Sequence, residues 1–329
     1  MKALVTGGCG FIGSHLVERL LREGCRVIVL DNLSTGRSIN LKEVIGHPQL
    51  EMVEMDVTQR ELMTPYFKGV DIVFHLAALA DIVPSIQRPM EYYHANVTGT
   101  IAVWETARSA SVKRLIYTAS SSCYGIPDLT PTPETASTRP EYPYALTKYL
   151  GEQIVLHWGK IYKMDVVSLR LFNVYGPRSR TSGTYGAVMG VFLAQKLANR
   201  PLTLVGDGTQ TRDFTYVTDV VEAFWLASQS DLRGEVLNVG SGGAYSIKRL
   251  AELIGGPTVS IPKRPGEPDC TFADITRIRR LLHWNPRISL ESGVKGMLDR
   301  ISDWSDAPVW TPETIATATK EWFGYLTVS

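Results

Sequence analysis

Short apolar runs alternate with amphipathic stretches through the first two-thirds of the chain. Lys2 to Val5 is an apolar run that ends in glycines. From Gly13 to Glu23 the apolar positions Leu16, Val17, Leu20 and Leu21 recur at helical spacing. Arg26 to Leu30 is a second run, closed by Asp31. Glu51 to Asp56 is a third, Asp71 to Leu76 a fourth, Arg114 to Thr118 a fifth and Val166 to Leu171 a sixth. Runs this short, with little polar alternation and helical segments between them, predict parallel strands covered on both faces. The fold class expected is α/β, a doubly wound parallel sheet.

After Asn173 the pattern changes. Segment 174–190 is rich in Gly, Arg, Ser and Thr and reads as a loop. Val191 to Ala198 has helical spacing, Val236 to Val239 reads as one more sheet strand, and Ile247 to Ile254 as a helix. Pro257 to Pro268 reads as a proline-rich loop, followed by further helices. Two units are expected. Residues 1–173 plus about 214–245 form the sheet unit, and 174–213 plus about 246–329 form a smaller α/β unit beside it. No internal repeat or low-complexity linker interrupts them.

Composition narrows the function classes. The formal net charge is +1 over 329 residues, which gives no field for nucleic acid or an anionic membrane surface. An anionic ligand must therefore be held by a local site. No apolar run approaches the roughly 18 residues that span a bilayer. The N-terminus runs straight into a strand without a leader, so the cytoplasm is the expected location. Cys9, Cys25, Cys123 and Cys270 have neither CxxC spacing nor a histidine cluster. Reduced thiols are expected, with no disulfide framework and no metal site.

Four motifs carry candidate chemistry. Gly7-Gly8-Cys9-Gly10-Phe11-Ile12-Gly13 joins the first strand to the first helix. Glycines there let the backbone approach a pyrophosphate, and a helix N-terminus offers free N–H groups to it. Its GxxGxxG spacing only approximates the usual dinucleotide fingerprint, and a tight turn needs glycine in any case. Asp31 ends the second strand, 18 residues after Gly13. A carboxylate there accepts from the adenosine ribose hydroxyls and repels a 2′-phosphate, which favours NAD over NADP. The opposing feature is Arg37, which suits a phosphate. Tyr144 and Lys148 stand at i and i+4 on one helix face, with Pro143 at its start. An ammonium beside a tyrosine is expected to lower the phenol pKa toward working pH, making it a general base. Ser120, Ser121 and Ser122 end the fifth strand, where open α/β sheets place their ligands.

Together these motifs resemble the extended short-chain dehydrogenases/reductases. They stand in that family's order with Asp56-Val57, His75, Leu76, Ala77, Ala78 and Asn96. Further on, Arg170 to Pro177, Gly206 to Phe214 and Arg264 to Glu267 resemble its nucleotide-sugar 4-epimerase branch. The resemblance covers the chain to about residue 300 and leaves Trp304, Trp310 and Trp322 unplaced. It implies an NAD-binding Rossmann unit, a nucleotide-sugar-binding unit and a homodimer built through a four-helix bundle of the helices near 91–109 and 144–159. It also implies roles. Asp56 and Val57 would contact adenine, and Leu76, Ala77 and Ala78 would line the cofactor groove. Gly7, Gly10, Phe11, Ile12, Gly13, Asn32, Thr35, Gly36, Thr118 and Phe172 would complete the cofactor contacts, with Asn96 supporting the active site. Ser120 would join Tyr144 and Lys148 in catalysis, and Ser121, Ser122 and Ala187 would face the sugar. Asn173, Arg212 and Arg264 would hold the sugar diphosphate, arginine being suited to phosphate geometry. Glu267 stands where an Asp is usual.

The reaction follows from what is missing. Dehydratases that resemble this branch carry an Asp-Glu pair just after the catalytic hydroxyl, and UDP-glucuronate decarboxylases a Glu two residues after it. Here those positions are Ser121 and Ser122. Enzymes that epimerise at C3 and C5 place a Cys at the Ser122 position, and Cys123 is one place off. What remains implies a 4-epimerase. For the substrate, the small Thr271 resembles the gate of enzymes that admit N-acetyl sugars, whereas Arg180 resembles a glucuronate-binding arginine. A C4 dehydrogenase that stops at the keto sugar and a non-catalytic NAD-binding regulator are the other readings. The intact Ser120, Tyr144 and Lys148 oppose the regulator.

Overall fold

The computed structural model describes residues 1–179 and 187–326. Seven strands form one sheet: β1 (Lys2–Thr6), β2 (Arg26–Asp31), β3 (Leu50–Glu54), β4 (Ile72–His75), β5 (Arg114–Ser120), β6 (Asp165–Leu171) and β7 (Glu235–Val239). Their spatial order is β7-β6-β5-β4-β1-β2-β3, and every neighbouring pair is parallel. The order reverses between β1 and β4, which opens a crevice at their carboxyl ends. This is the expected doubly wound, Rossmann-like sheet.

The continuous apolar runs have a direct cause. Successive side chains point to opposite faces, and both faces are covered. Ala3, Val5, Val27, Val29, Ile72 and Phe74 enter one core. Leu4, Ile28, Leu30, Val73, Leu115 and Tyr117 enter the other. The first helix, Phe11–Arg22, buries Leu16, Val17, Leu20 and Leu21, the four positions its periodicity marked. A third core lies beside the sheet. It joins Phe192, Leu202, Leu250, Ile254, Val294, Met297 and Trp304.

The chain after Asn173 holds more order than its composition predicts. Val174–Tyr175 pairs with Thr215–Tyr216, inside the expected loop. Thr258–Ile261 is a strand parallel to Leu202–Val205, within the segment expected to be a proline-rich loop. Two-residue and four-residue strands of this kind are set by a distant partner, which local composition does not reveal. The helix expected from Val191 begins at Val188. The helices expected near 91–109 and 144–159 are Pro89–Tyr93, a π-helical turn His94–Thr98 and Gly99–Ser109, and Pro143–Tyr162. Among the described residues no helix is long and apolar enough to cross a membrane.

One close approach fixes the crevice. Gly7 has φ +72°, and a Cβ there would stand 2.8 Å from the backbone nitrogen of Ala77. A Cβ on Gly13 would stand 2.1 Å from the carbonyl oxygen of Gly7. The first helix thus rests directly on the turn that leaves β1. Gly13→Ala is therefore expected to destabilise the protein by about 2–3 kcal/mol, since backbone must move to admit a methyl group. Gly324, with open space around it, serves as the control. Gly324→Ala is expected to stabilise its helix by about 0.5–1 kcal/mol. Urea unfolding checks both, and a Gly13→Ala midpoint equal to wild type would contradict the packing.

Candidate active site

A cleft of about 670 Å³ runs along the carboxyl ends of β1, β2, β4 and β5 and on to the third core beside the sheet. That volume suits a ligand of cofactor or drug size. At one end lie Gly7, Gly10, Phe11, Ile12 and Gly13. Gly10 caps the first helix without a side-chain hydrogen bond, and no acidic residue occupies its first turn. The positive end of that helix thus faces the cleft without a carboxylate in its own first turn. Asn32, Thr35, Gly36, Asp56, Val57, Leu76, Ala77, Ala78 and Thr118 line the same stretch.

Asp31 sits where its strand ends, with 7% of its surface exposed. Its carboxylate accepts from the N–H groups of Cys9 and Leu33, both at 2.9 Å. Burial raises its pKa, and the two backbone bonds oppose that shift. A Cβ on Gly36 would lie 2.8 Å from both carboxylate oxygens, so only glycine fits against it. Across the crevice, His75 is locked between the Thr6 hydroxyl at 2.7 Å and the Thr100 hydroxyl at 2.9 Å. Burial, reinforced by Lys148, lowers its pKa to about 3, and it stays neutral near pH 7. The residues fit a dinucleotide: a turn that a Cβ would fill, a carboxylate at the second strand, and a buried Thr118 hydroxyl without a hydrogen-bond partner.

The middle of the cleft gathers the three candidate catalytic residues. Ser120 ends β5, and its Oγ lies 2.8 Å from the Oγ of Ser122. Ser120 stands close enough to the Tyr144 hydroxyl to lower its pKa, and Ser122 does the same for Tyr142. The Tyr142 and Tyr144 rings stack at 6.4 Å and 10°. Lys148 is 4% exposed, with Nζ 4.6 Å from the centre of the Tyr117 ring. Tyr117 in turn donates to the carbonyl of Lys148 at 3.1 Å.

Beneath them, Glu152 and Arg170 form a buried ion pair, with Nη2 to Oε1 at 2.5 Å and Nε to Oε2 at 3.0 Å. Ser168 adds a hydrogen bond to Glu152 at 2.8 Å. Cys123 turns away from the cleft into the core at 2% exposure, and burial raises its thiol pKa to about 12.

The expected effect of Lys148 on Tyr144 is not found in the protein alone. Burial raises the Tyr144 pKa, Ser120 opposes this, and Asp81 adds to the rise. Lys148 is itself lowered to about 7 by burial, against the opposing charge of Glu152. Desolvation outweighs the attraction that sequence spacing suggested. Both groups are driven toward their neutral forms.

At the far end, Arg212 Nη2 lies 2.8 Å from Glu267, and Arg264 Nη1 lies 3.6 Å from it. Two guanidiniums thus share one carboxylate. Thr271 donates to the side-chain oxygen of Asn173 at 2.8 Å. These five residues line the cleft with Ser121, Ser122 and Ala187.

Two expected cofactor contacts do not reach the cleft. Asn96 is 1% exposed and spends its amide on the backbone of Leu79 and the hydroxyl of Thr147. It braces the loop after β4 against helix Pro143–Tyr162. Phe172, also 1% exposed, packs on Tyr124 because it faces the sheet core. Arg180 lies outside the described residues. Sequence reasoning missed Tyr142, Asp81, Met189, Val191 and Trp322, all of which line the cleft. Tyr142 was legible in principle, as the other half of the Tyr142-Pro143-Tyr144 step. The apolar and indole positions carry no local signal.

A model of the NAD dependent epimerase/dehydratase family matches residues 3–240. The UDP-glucose 4-epimerase of Mycolicibacterium smegmatis is 37% identical over 304 residues, 89% of this chain and 96% of that protein. UDP-glucuronic acid decarboxylase 6 of Arabidopsis thaliana is 35% identical, over 89% of this chain and 87% of its own. Among solved structures, UDP-glucose 4-epimerase from Thermotoga maritima with UDP-glucose superposes with a TM-score of 0.86 at 33% identity, covering 92% of this chain and 99% of that one.

Lys148 yields a pH prediction. Its folded pKa, about 7, lies below the ordinary 10.5. Below pH 7 both the folded and unfolded chains hold the proton, and the fold bears the full cost of a buried ammonium. Between pH 7 and 10.5 the folded chain sheds the proton while the unfolded chain keeps it, so this group's penalty shrinks as pH rises. Lys148→Met is expected to raise the thermal midpoint of the cofactor-free protein by a few degrees at pH 6.5, with the gain shrinking toward pH 10. A gap that is constant with pH, measured by scanning calorimetry, would contradict the assignment.

Proposed function

The chain belongs to the NAD dependent epimerase/dehydratase family, and we propose that it inverts C4 of a UDP-hexose or UDP-N-acetylhexosamine through a transient 4-keto sugar. Identity alone does not choose the reaction, because an epimerase and a decarboxylase stand at 37% and 35%. The observation that carries the choice is the make-up of the cleft beside Tyr144. The positions just after Ser120 present the hydroxyls of Ser121 and Ser122 to it, and Cys123 is buried in the core. The side chains that would eliminate water, remove carbon dioxide or invert C3 and C5 are not at those positions.

NAD, when bound, supplies a hydride acceptor that can also return the hydride. The glycine turn and the helix behind it would hold its pyrophosphate, Asp31 its adenosine ribose, Asp56 and Val57 its adenine, and Lys148 its nicotinamide ribose. Leu76, Ala77 and Ala78 would shape the groove between them. The carboxylate of Asp31 disfavours a 2′-phosphate by like charge, which supports NAD over NADP.

Tyr144 acts as the phenolate, a form that the positive charge of bound oxidised NAD and of a protonated Lys148 would favour against its burial, and takes the proton from the sugar 4-hydroxyl as C4 is oxidised. Ser120, which stands beside the Tyr144 hydroxyl, steadies the C4 oxygen. The keto sugar turns within the cleft, and Tyr144 gives the proton back when C4 is reduced from its other face. Arg212 and Arg264 keep the diphosphate anchored during that turn. The small Thr271 leaves room for an N-acetyl group beside Asn173. The same reading pairs two copies through the helical region 89–109 and helix Pro143–Tyr162, which expose Met90, Tyr93, Leu146, Ile161 and Tyr162.

An NMR time course with UDP-glucose, UDP-N-acetylglucosamine and UDP-glucuronate tests the chemistry. The expected outcome is the galacto epimer of one of the first two, without net reduced cofactor. Tyr144→Phe should cut turnover on the order of 10²-fold or more. A pentose product, an accumulating 4-keto sugar or near-normal turnover in the variant would overturn the reading. For the assembly, sedimentation velocity should give a dimer; a monomer at micromolar concentration would refute that part.

A further inference from the structure

The C-terminal helix, Pro312–Leu326, buries Ile315, Thr319 and Trp322 along one stripe. Ile315 enters the third core. Trp322 belongs to none of the three cores, although it is only 3% exposed. Its burial is made at the cleft, which it lines. The indole N–H donates to the carbonyl of Pro265 at 2.8 Å. The guanidinium carbon of Arg264 stands 5.6 Å from the indole centre, within cation–π range. The indole also lies 6.4 Å from the Tyr142 ring, which stacks on Tyr144. The same helix packs against Ile82–Gln87, behind the loop that carries Asp81.

One indole therefore links the Arg264 to Glu267 turn to the tyrosine pair. We propose that Trp322 is a substrate-positioning residue, which presets Arg264 for the diphosphate of a nucleotide sugar and supports Tyr142 against Tyr144. The inference rests on the C4 reading for its substrate, and its physical content is a coupling between Trp322 and Arg264. An arginine side chain loses rotamer freedom when it binds a phosphate. An aromatic face and a fixed carbonyl contact that already hold its turn reduce that loss before the ligand arrives. A tryptophan kept only for core packing would show no such coupling.

Titration calorimetry with UDP on the full chain, wild type against Trp322→Ala, reads the coupling directly. The expected result is roughly a tenfold weaker Kd, the scale of a partly desolvated cation–π contact. Trp322→Phe keeps a ring beneath Arg264 and loses only the bond to Pro265, so roughly two- to threefold is expected. It also serves if the alanine variant fails to fold. In an Arg264→Ala background the effect of Trp322→Ala should largely vanish. With a turned-over UDP-sugar, the larger part of the loss should fall in KM rather than kcat. UDP binding indifferent to Trp322, or losses that add in full with Arg264→Ala, would overturn the proposal while leaving the C4 reading standing. Wild-type protein that binds UDP in a Trp322-dependent way yet epimerises no UDP-sugar would do the reverse.

Discussion

The ion pair between Glu152 and Arg170 underlies the site. Arg170 lies on β6 and Glu152 on helix Pro143–Tyr162, and together they hold that helix against the sheet. Tyr144, Lys148 and Glu152 are spaced four residues apart, on one helix face. Fixing Glu152 beneath the sheet therefore fixes the height and rotation of the two residues above it. Arg170 is also held by Tyr124 at 2.9 Å, and Tyr124 donates to Asn238 of β7 at 2.7 Å. The network thus ties the helix, β6, β7 and the turn that follows β5 into one frame. Buried pairs of this kind add little net stability, but leaving either charge alone is costly. Their use here is geometric: Ser120 and Tyr144 meet because the helix cannot slide.

Desolvation then sets the chemistry. Tyr144 and Lys148 are both pushed toward neutrality by burial, and His75 is held neutral behind them. A neutral phenol beside a lysine balanced near pH 7 is sensitive to any charge that enters the cleft. The two ends are built for opposite demands. The cofactor end is rigid backbone with glycine where no Cβ fits. The substrate end holds its charge in side chains, where Arg212 and Arg264 share Glu267. On the proposed reading, a diphosphate would meet arginines already oriented by a carboxylate, at the cost of competing with it.

The sheet was legible because both its faces are covered. Two-sided burial makes each strand a continuous apolar run, and six such runs were readable before Asn173. The glycine turn and the Tyr144–Lys148 step were legible because close approach and helix periodicity each impose a spacing. Other parts were not. Thr258–Ile261 exists as a strand because Leu202–Val205 lies beside it, a contact between distant segments. Asn96 and Phe172 were placed by resemblance to the cofactor contacts, and both face inward for reasons of local packing. Trp322 gave no sign of its place, since an indole on an amphipathic helix reads the same whether it meets a core or a cleft.

The sign of the Tyr144 shift has a consequence for the reaction class. A phenol held neutral by burial must lose its proton once before it can act as a base, and that single loss suffices where the proton the phenolate then takes is given back in the same cycle. Epimerisation at C4 has that symmetry, because the proton removed on oxidation is returned on reduction. Dehydration and decarboxylation do not, since each moves a further proton or carbon that needs a separate acid or base. The hydroxyls of Ser121 and Ser122 are poor candidates for that extra role, and the Cys123 thiol, raised to about 12 in the core, is a worse one. The fold is shared by all three reactions, so the balance rests on these few side chains rather than on the sheet that presents them.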